Sequence, residues 1–510
     1  MAKVYDTATD IITFARGSSG TALRRVGYGE NLVDTANTAS AWTPYGTNLI
    51  VQDGNTVKIS YVDDSRGGFV YLDAAGGLSA DMAVGTLYQL TFRAKVNTGS
   101  ATVQVFNGVS STLALITSTS YTTIVVNLVY PSGSRPFINV ASNLTSGESI
   151  WFDNISVKEV FFDRPTDDLV LFNHPDDTPR IEYGSDGSLK GLLIEEQRTN
   201  LVTRSQSLTL GVDSMFKSPD DIVTNSAGTF LDGSNDAVYI DFGLPSYCGV
   251  QEAITSGKTY TFSFFVKPIN VPGDWFIAVF PAQGGSGFQK NIAADLVTDE
   301  WVRVHLTFTA AATTTHQLRF VNNVEVEAYI CGFQLEEGSF PTSYIPTSGS
   351  EVTRWADVAS IPVSAFGYNQ DAGTIVVEFS KMYPGAAYSR FHAGFGANST
   401  NYIGMGYSSA QRAYVQPLVG EITISGASAP SPGEFATVAV GFDASGATSA
   451  VDGQSKNQTA TGSAPALSES DTLYLGSSPF NAAAIASGHI KSLKYYPRRL
   501  TDAQLQELTA

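Results

Sequence analysis

Residues 85–95 read GTLYQLTFRAK, and residues 257–267 read GKTYTFSFFVK. In the first stretch Tyr88, Leu90 and Phe92 alternate with polar side chains, which is the period of two expected of a strand that buries one face. The second stretch keeps this alternation 172 residues later. Each stretch therefore predicts a half-buried strand, and the pair indicates that the chain contains a duplicated unit.

Two further matches lie on either side of this one and keep the same order. Residues 31–33 (NLV) recur at 200–202, and residues 151–157 (WFDNISV) correspond to 329–335 (YICGFQL). The offset drifts from 169 to 178 along the chain, as loop insertions would make it drift. A period this long is typical of duplicated domains and not of solenoid repeats.

The matched segments predict two related β-sandwiches. Trp151, Ile155 and Val157 are predicted to share one buried face of their strand. Gly-rich turn clusters separate many such short runs, which is a pattern typical of sandwiches. We assign one sandwich to residues 31–160 and the other to residues 200–340.

The last third of the chain predicts another sheet. A polar, Pro-containing stretch at 341–370 is predicted to be a linker, and strand-like runs follow it in 371–510. The chain closes on one helix, because Thr501 and Gln504 form a capping box ahead of an apolar stripe. With 47 Gly, 23 Tyr and 29 Phe but only 15% charged residues, the composition also predicts an all-β protein.

Charge and hydropathy exclude several kinds of partner. The formal net charge is −18, and so acidic a chain is poorly suited to displace counterions from nucleic acid or to dock on an anionic membrane. No apolar run approaches the roughly 18 residues of a membrane span. The first residues, MAKVYDTATD, lack the apolar segment of a secretory signal, so synthesis in a cytoplasm is expected.

The chain has two cysteines, Cys248 and Cys331. Two thiols cannot build a disulfide framework or a four-thiolate zinc site. They either pair with each other or serve as small buried hydrophobes, and the second interpretation is favoured.

Several short segments resemble modules that are common in virion proteins of tailed bacteriophages. These segments are FARGSSG at 14–20, PRIEY at 179–183, GLLIEEQRTNL at 191–201, and QLEEG, PTSYIPT and VTR within 334–354. They bracket the two predicted sandwiches. The resemblance implies a surface component of the virion, such as a tail fibre, a tail spike or a head-decoration fibre.

The predicted sandwiches carry resemblances of their own. The first, which ends in residues 151–157, is similar to jelly-roll carbohydrate-binding modules, and residues 488–501 (GHIKSLKYYPRRLT) resemble the end of laminin-G and concanavalin-A-like lectin domains. The implied fold is two duplicated jelly-roll sandwiches followed by a concanavalin-A/laminin-G-like sandwich with a short C-terminal helix. Residues 1–30 and 161–199 are predicted to form one small attachment unit.

The resemblance also implies a function. It indicates a structural protein of the virion surface that binds host-surface glycans without transforming them and is released by lysis. The implied partners are other virion proteins and a host polysaccharide. A homo-oligomer is expected, with a trimer as one form, although no heptad coiled coil shows one. Two alternatives remain open: a purely structural capsid or tail decoration protein, and a tail-spike polysaccharide depolymerase.

A structural calcium ion is a further implication of the resemblance. Carbohydrate-binding modules of this type commonly hold Ca²⁺ between an acidic residue of the last strand and residues at the domain start. Asp153 matches that strand position and Glu30 lies near the start, whereas the second sandwich has Cys331 in the equivalent place. Full coordination takes about 6–8 oxygens. Since only two carboxylates are identified, the favoured interpretation is that Asp153 caps the strand or bonds to backbone.

Sugar binding would use exposed aromatic rings. Such rings lie against sugar C–H groups while polar groups fix the hydroxyls. Most aromatic side chains of a sandwich pack in its core, so packing is the alternative for every candidate. The candidates on predicted loops or edges are Trp42, Tyr45, Tyr71, Trp275, Phe288, Tyr388, Tyr402 and Tyr407.

The sequence gives little support for catalysis. Glycoside hydrolysis needs two carboxylates across a cleft, but neighbours such as Glu195-Glu196 and Glu336-Glu337 point to opposite faces of a strand and are interpreted as solvated turn and edge charges. The sequence contains no G-x-S-x-G elbow or P-loop, and its five histidines lack metal-ligand spacing. We therefore predict a protein that is not an enzyme.

Overall fold

The computed structural model contains three β-sandwiches that share a common junction. It describes residues 12–510 except 63–65, 132–133, 143–144, 209–214, 219–221, 243–245, 272, 283, 285, 323–324, 384–389, 408–410, 425–429, 468–470 and 479–480. Almost every element in the described residues is a β-strand. The predicted all-β fold is confirmed.

The first sandwich consists of two antiparallel sheets. The strands up to residue 174 are β1 (Thr13–Ala15), β2 (Gly20–Asn31), β3 (Thr43–Pro44), β4 (Leu49–Asp53), β5 (Thr56–Ser60), β6 (Gly68–Tyr71), β7 (Leu87–Val96), β8 (Ala101–Phe106), β9 (Ser111–Ile116), β10 (Thr122–Val129), β11 (Phe137–Ser142), β12 (Ser149–Phe162) and β13 (Asp168–His174). One sheet has the order β3-β6-β11-β8-β9, and the other contains β4-β5-β12-β7-β10 and is extended by β2 and β13. Alternating side chains such as Leu90 and Phe92 are fully buried between the sheets.

The second sandwich follows a short connecting region. The strands from residue 181 to residue 337 are β14 (Ile181–Tyr183), β15 (Leu189–Ile194), β16 (Arg198–Asn200), β17 (Phe216–Lys217), β18 (Ile222–Gly228), β19 (Ala237–Phe242), β20 (Ser246–Ile254), β21 (Thr259–Pro268), β22 (Trp275–Pro281), β23 (Phe288–Asn291), β24 (Val302–Thr309), β25 (Thr314–Asn322) and β26 (Val326–Glu337). Its two sheets have the orders β17-β20-β25-β22-β23 and β18-β19-β26-β21-β24. Cys248 is buried in its core and Cys331 under its outer face, and the two thiols are not bonded to each other.

Strand for strand, the two sandwiches have the same order, which confirms the predicted duplication. They also share a β-bulge. The ladder between β12 and β7 slips by one residue beside Asn154, and the ladder between β26 and β21 slips beside Gly332. Both residues take a left-handed backbone, with φ of 50° at Asn154 and 70° at Gly332. The copied unit therefore includes the irregularity of its long strand as well as its strand order.

The bulge decides which side chains of β12 face the core. Ile150 and Phe152 are buried before it, and Ile155 and Val157 are buried after it. Trp151 therefore lies on the outer face and is partly exposed. The prediction that Trp151 shares a buried face with Ile155 and Val157 is wrong, because one extra residue inverts the alternation of a strand.

The third sandwich occupies the last third of the chain. Its elements and the short strand before them are β27 (Val352–Arg354), β28 (Val358–Pro362), β29 (Ala372–Lys381), β30 (Arg390–Asn398), β31 (Asn401–Tyr407), β32 (Gln411–Gln416), β33 (Gly420–Ile424), β34 (Phe435–Asp443), β35 (Gly446–Val451), β36 (Gln454–Thr459), β37 (Thr472–Leu475), β38 (Ser477–Ser478), β39 (Asn481–Ile485), β40 (Gly488–Tyr496) and the helix α1 (Asp502–Thr509). One sheet has the order β1-β28-β37-β30-β31-β32-β33, with β38 and β39 beside β30, and the other is β14-β15-β40-β29-β34-β35-β36.

The C-terminal helix packs on the second of these sheets. Leu505 is fully buried against Ala439 and Ala450. The predicted capping box is present, since the side chain of Thr501 accepts a hydrogen bond from the backbone N–H of Gln504 and the reciprocal bond also forms. Of the helices in the described part of the chain, none has the length and apolarity needed to cross a membrane.

The segments predicted as a separate attachment unit extend the sheets of two sandwiches. Strand β2 pairs with β13, as a joint unit would require, but it also pairs with β12 of the first sandwich. Strands β1 and β15 pair with β28 and β40 of the third sandwich. These segments therefore link the first sandwich to the third.

The start of the stretch 341–370 is not a linker. Thr342, Tyr344 and Ile345 are buried. The backbone N–H of Thr342 donates to the Glu336 carboxylate, and that of Ile345 donates to the side chain of Gln334. Buried side chains take the place of water as hydrogen-bond partners, so this irregular backbone can be buried.

Candidate functional site

The outer face of the β3-β6-β11-β8-β9 sheet carries a row of aromatic rings. The ring centre of Tyr45 lies 5.2 Å from that of Phe69, which lies 5.1 Å from that of Tyr71. Phe137 follows at 6.4 Å from Tyr71, and Phe106 lies 4.9 Å from Phe137. All five side chains are partly exposed. We term these five residues the aromatic face.

Strand alternation and register create the aromatic face. Phe69 and Tyr71 flank Val70, which points the other way and is fully buried. Phe137 stands directly opposite Tyr71 on one neighbouring strand and opposite Phe106 on the other. Side chains that are opposite each other on one face of a sheet are in contact. The rings therefore form a row across the strands.

An ion pair borders the aromatic face. The guanidinium of Arg135 lies 3.6 Å from the ring centre of Tyr71 and donates from Nη2 to Oδ1 of Asp73 at 2.7 Å. The hydrogen bond from Arg135 lowers the pKa of Asp73. The guanidinium of Arg66 lies 6.0 Å from the ring centre of Tyr45. Flat apolar surface is thus combined with charged hydrogen-bonding groups, which is the combination that sugar recognition needs.

Two of the predicted aromatic candidates, Tyr45 and Tyr71, belong to the aromatic face. Three others are buried: the exposed fraction is 5% for Trp42, 0% for Trp275 and 6% for Tyr402. These three predictions are corrected, because a ring inside a core presents no surface to a sugar. Trp42 and Trp275 fill the cores of the first and second sandwiches.

Of the remaining candidates, Phe288 does not join the aromatic face. Phe288 is 36% exposed and lies 5.4 Å from Phe308 in the second sandwich. Tyr388 lies outside the described residues, and so does the side chain of Tyr407, whose backbone belongs to β31.

The sequence reasoning missed Phe69, Phe106 and Phe137. Each lies in a short run in which every second residue is buried, and the phenylalanine takes one of the outward positions between them. That alternation is visible in the sequence, and it marks the aromatic residue as the outward one. The contact between the three rings depends on strand order, which the sequence alone does not reveal.

The same face of the second sandwich has a different character. The guanidinium of Arg319 lies 4.4 Å from the ring centre of Tyr247, 5.0 Å from that of Phe280 and 5.7 Å from that of Phe216. These rings surround a cation from their own sheet. Burial lowers the pKa of Arg319.

The opposite sheet of the first sandwich presents a second aromatic surface. The ammonium of Lys58 lies 4.9 Å from the ring centre of Trp151, and that of Lys95 lies 5.3 Å from it. The indole N–H of Trp151 donates to Asp53 at 2.9 Å. This tryptophan is already engaged by its own neighbours, which makes it a useful control for the aromatic face.

Of the two predicted calcium ligands, Asp153 lies on this second surface and Glu30 lies near the end of β2. Both carboxylate oxygens of Asp153 accept hydrogen bonds from Arg93, at 2.7 Å and 2.5 Å. Glu30 is exposed near the end of β2. The described residues contain no group of three or more His, Cys, Asp or Glu side chains placed to hold a metal ion. Calcium at Asp153 and Glu30 stays a prediction, and binding there would have to replace the guanidinium of Arg93.

A cluster of buried charges lies where the three sandwiches meet. It contains Arg16, Arg180, Glu195, Arg354 and Asp357, whose side chains are at most 1% exposed. Asp357 pairs with Arg16 at 3.1 Å and with Arg180, and Glu195 pairs with Arg180 at 2.8 Å and with Arg354 at 3.6 Å. We term these five residues the ionic junction.

Hydrogen bonds complete the ionic junction. Glu195 accepts from the backbone N–H and the hydroxyl of Ser343, both at 2.6 Å. Burial alone would raise the pKa of Glu195, but the charges of Arg354 and Arg180 and the bonds from Ser343 hold it well below its ordinary value. The interpretation of Glu195 and Glu336 as solvated charges is wrong, since both are fully buried.

The ionic junction is built largely from the segments that resemble phage virion modules. Arg16 belongs to FARGSSG, Arg180 to PRIEY, Glu195 to GLLIEEQRTNL, and Arg354 to the VTR that ends the third segment. The charged residues of these separated segments meet in one buried cluster. Their role in this chain is to join the sandwiches.

A Ser–His–Glu array lies on the third sandwich. Nδ1 of His489 is 3.0 Å from the hydroxyl of Ser380, and Nε2 is 2.6 Å from the Glu182 carboxylate. Burial favours a higher pKa for Glu182, but the hydrogen bond and charge of His489 lower it. Ser380 is only 1% exposed, so its hydroxyl is closed to a substrate. The array ties β14 to β29 and β40.

Comparison with known proteins identifies one part of the chain. Residues 378–506 match the laminin G 3 family, described as the concanavalin A-like lectin/glucanases superfamily. The C-terminal third is therefore a concanavalin-A-like domain. Among curated proteins, none matches this chain.

Solved structures show only distant likeness. The N-terminal CBM22 tandem of Paenibacillus barcinonensis Xyn10C is 9% identical, with 62% of this chain and 99% of that chain covered and a TM-score of 0.22. The ANXUR2 extracellular domain of Arabidopsis thaliana is 9% identical, with 61% and 94% covered and a TM-score of 0.21. A Trypanosoma rangeli sialidase is 10% identical, with 95% and 97% covered and a TM-score of 0.23. TM-scores this low do not indicate a shared overall arrangement.

Proposed function

We propose that this chain is a virion surface protein of a tailed bacteriophage that binds host-surface glycans without cleaving them. The observation that carries the binding is the aromatic face, a row of five partly exposed rings bordered by the Arg135–Asp73 pair. The virion assignment rests on the resemblance of the segments that supply the ionic junction. A concanavalin-A-like domain beside the sandwiches agrees with a glycan-binding role.

The binding chemistry follows from the shape of the aromatic face. Rings in a row offer successive contacts to the apolar faces of a sugar chain, while Arg135 and Asp73 exchange hydrogen bonds with its hydroxyls. A shallow surface of this kind binds weakly. Copies of the protein on one particle, as a homo-oligomer such as a trimer, would raise the avidity by about 10²–10⁴.

The test is glycan binding by the whole chain and by two matched variants. Purified protein is applied to an array of bacterial surface polysaccharides, and the affinity for any bound glycan is measured by calorimetry. Tyr71→Ala is expected to weaken binding at least tenfold, because the centre of the row is lost. Trp151→Ala, on the opposite sheet, is expected to leave the affinity unchanged. Equal affinity of wild-type protein and Tyr71→Ala would reject the aromatic face as the site.

The absence of catalysis is part of the proposal and needs its own assay. The protein is incubated with host polysaccharide, and reducing ends are measured over time. No release above a heat-treated sample is expected. Release that is lost on changing a single carboxylate would establish the depolymerase alternative instead.

One observation favours the purely structural alternative. The charged residues that carry the phage resemblance lie in the buried ionic junction, where they hold sandwiches together and contact no ligand surface. Antibody-gold labelling of intact virions distinguishes the two functions. Labelling confined to the head, together with no signal on the polysaccharide array, would support a decoration protein.

A further inference from the structure

A pocket of about 200 Å³, lined by both apolar and polar side chains, lies between the first and second sandwiches. Strands β10 and β13 line one side, and the loop 232–236 between β18 and β19 lines the other. The two sides are bonded to each other beside the pocket, since the backbone N–H of Leu171 donates to the carbonyl of Leu231 at 2.9 Å. The pocket is therefore a built part of the contact between the sandwiches.

Two carboxylates face this pocket without a basic partner. Asp232 and Asp236 both line it, and no Lys, Arg or His among the described residues is near enough to affect the pKa of either carboxylate. Burial, and then the charge of Asp232, raises the pKa of Asp236 to about 7. Two like charges in a desolvated site are unfavourable unless a cation compensates them.

Unpaired oxygens lie beside the carboxylates. Ser234 is only 3% exposed and also lines the pocket, and its hydroxyl has no hydrogen-bond partner of good geometry in the described structure. That hydroxyl is close enough to Asp232 and Asp236 to lower the pKa of each. From the first sandwich, Asn173 lines the pocket with a buried amide oxygen that also lacks a partner. A cation or a water molecule would satisfy buried oxygens of this kind.

We propose that the pocket binds one Ca²⁺ ion through the loop 232–236 of the second sandwich and Asn173 of the first. Two carboxylates, one hydroxyl and one amide oxygen offer up to six oxygens, and Ca²⁺ takes about 6–8, so water completes the shell. No cysteine or histidine lines the pocket, which favours a hard cation over zinc or copper. The spacing of Asp232, Ser234 and Asp236 at alternate positions lets one loop wrap the ion.

This site differs from the calcium predicted at Asp153 and Glu30. It lies between two sandwiches, and an ion there would connect them through its ligands. None of the five residues of the aromatic face lines the pocket, so the calcium proposal does not depend on glycan binding.

The experiment uses the full chain after treatment with EDTA. Calcium binding is measured by calorimetry, and Tb³⁺ bound at the same site is detected by luminescence sensitised through tyrosine. Wild-type protein is expected to bind calcium at this site with a dissociation constant at or below about 10⁻³ M. Asp236→Asn is expected to lose one bound Ca²⁺ per chain, and Ser234→Ala to weaken the affinity about 10–100-fold.

Asp153→Asn is the matched control. It is expected to keep the ion that Asp236→Asn loses. The proposal is overturned if wild-type protein binds no calcium, if Asp236→Asn retains wild-type binding, or if the only bound ion is lost in Asp153→Asn. If Asp236→Asn does not fold, Ser234→Ala decides, because unchanged affinity in that variant would also overturn the proposal.

Discussion

The two sandwiches have one backbone plan but use the same position differently. In the first, Arg93 and Asp153 are cross-strand partners beside the bulge and form a partly exposed ion pair. In the second, the equivalent partners are Phe265 and Cys331, which pack in a cluster with Tyr344. The first copy keeps this surface open to solvent, whereas the second copy has turned it into an interior contact.

This difference follows from what covers the equivalent sheet in each sandwich. The sheet of the second sandwich is covered by the irregular chain that leads to the third, and that chain is held by the ionic junction. The covered position holds an apolar pair, whereas an ion pair buried there would be stable only if all its groups were satisfied. The pair Arg93–Asp153 therefore belongs to the copy in which this surface is uncovered.

The largest effect is expected where the second sandwich is covered. Glu195→Gln keeps the size of the side chain but leaves Arg180 and Arg354 buried without that carboxylate. We expect it to lower the free energy of unfolding by about 3–5 kcal/mol, measured by chemical denaturation. Asp295→Asn, which removes a partner from the exposed pair with Lys290, is the control and should leave the curve nearly unchanged. Equal curves for both variants would contradict the assigned role of the ionic junction.

The shared bulge gives a smaller effect that differs between the two copies. Gly332→Ala places a Cβ 2.8 Å from Phe265 at a φ of 70°, so we expect a loss of about 1–3 kcal/mol. Asn154→Gly relieves the left-handed backbone and should cost far less or stabilise the fold. Thermal unfolding of both variants checks the pair. A larger loss in Asn154→Gly would show that the bulges are not equivalent.

Acid should weaken the buried contacts of Glu195 and Glu182. The pKa values of Glu195 and Glu182 are lowered from an ordinary 4.5 in the folded chain, so the stability they contribute is fully present above that pH and is lost as pH falls through the folded values. We expect the contribution of these two carboxylates to the Tm to be level near neutral pH and to fall below about pH 4.5. Glu182→Gln should flatten part of this slope; an unchanged slope would exclude Glu182 as a contributor.

The smallest effect is expected at the open ion pair. Asp153→Asn removes one partner of Arg93, whose side chain is 42% exposed, so solvent screening reduces the loss to about 0.2–1 kcal/mol. Chemical denaturation in low and high salt provides the measurement, and the difference between the variant and wild-type protein should shrink at high salt. A loss as large as that of Glu195→Gln would mean that this surface is covered as well.

Local sequence patterns predicted the strands and the duplication, but they did not predict contacts between residues that are far apart in the sequence. The alternation of Tyr88, Leu90 and Phe92 with polar residues is enough to predict their strand. The backbone N–H of Glu195 donates a hydrogen bond to the carboxylate of Asp357, which lies 162 positions away in the sequence. No local sequence pattern predicts a contact over that separation. For this reason the sequence reasoning interpreted Glu195 as a solvated charge and the stretch after 341 as a linker.

The candidate site was predicted in part for the same reason. Tyr45 and Tyr71 were identified because they are aromatic and close to turns. Whether a ring points inward depends on the surrounding fold. Trp42 follows a 3₁₀ turn and is buried in the core, whereas Phe137 faces outward opposite Phe106. The sequence shows which residues are aromatic, but the folded sheet decides whether each ring points into the core or towards solvent.

The ionic junction also has a mechanical consequence. Its five charged side chains come from segments that flank the first two sandwiches. Separating one sandwich from the others would leave buried charges without their partners. Tension applied at one end of the chain is therefore shared among all three lobes from the start. The first sandwich, which carries the aromatic face, is therefore joined to the other two by contacts that are costly to break.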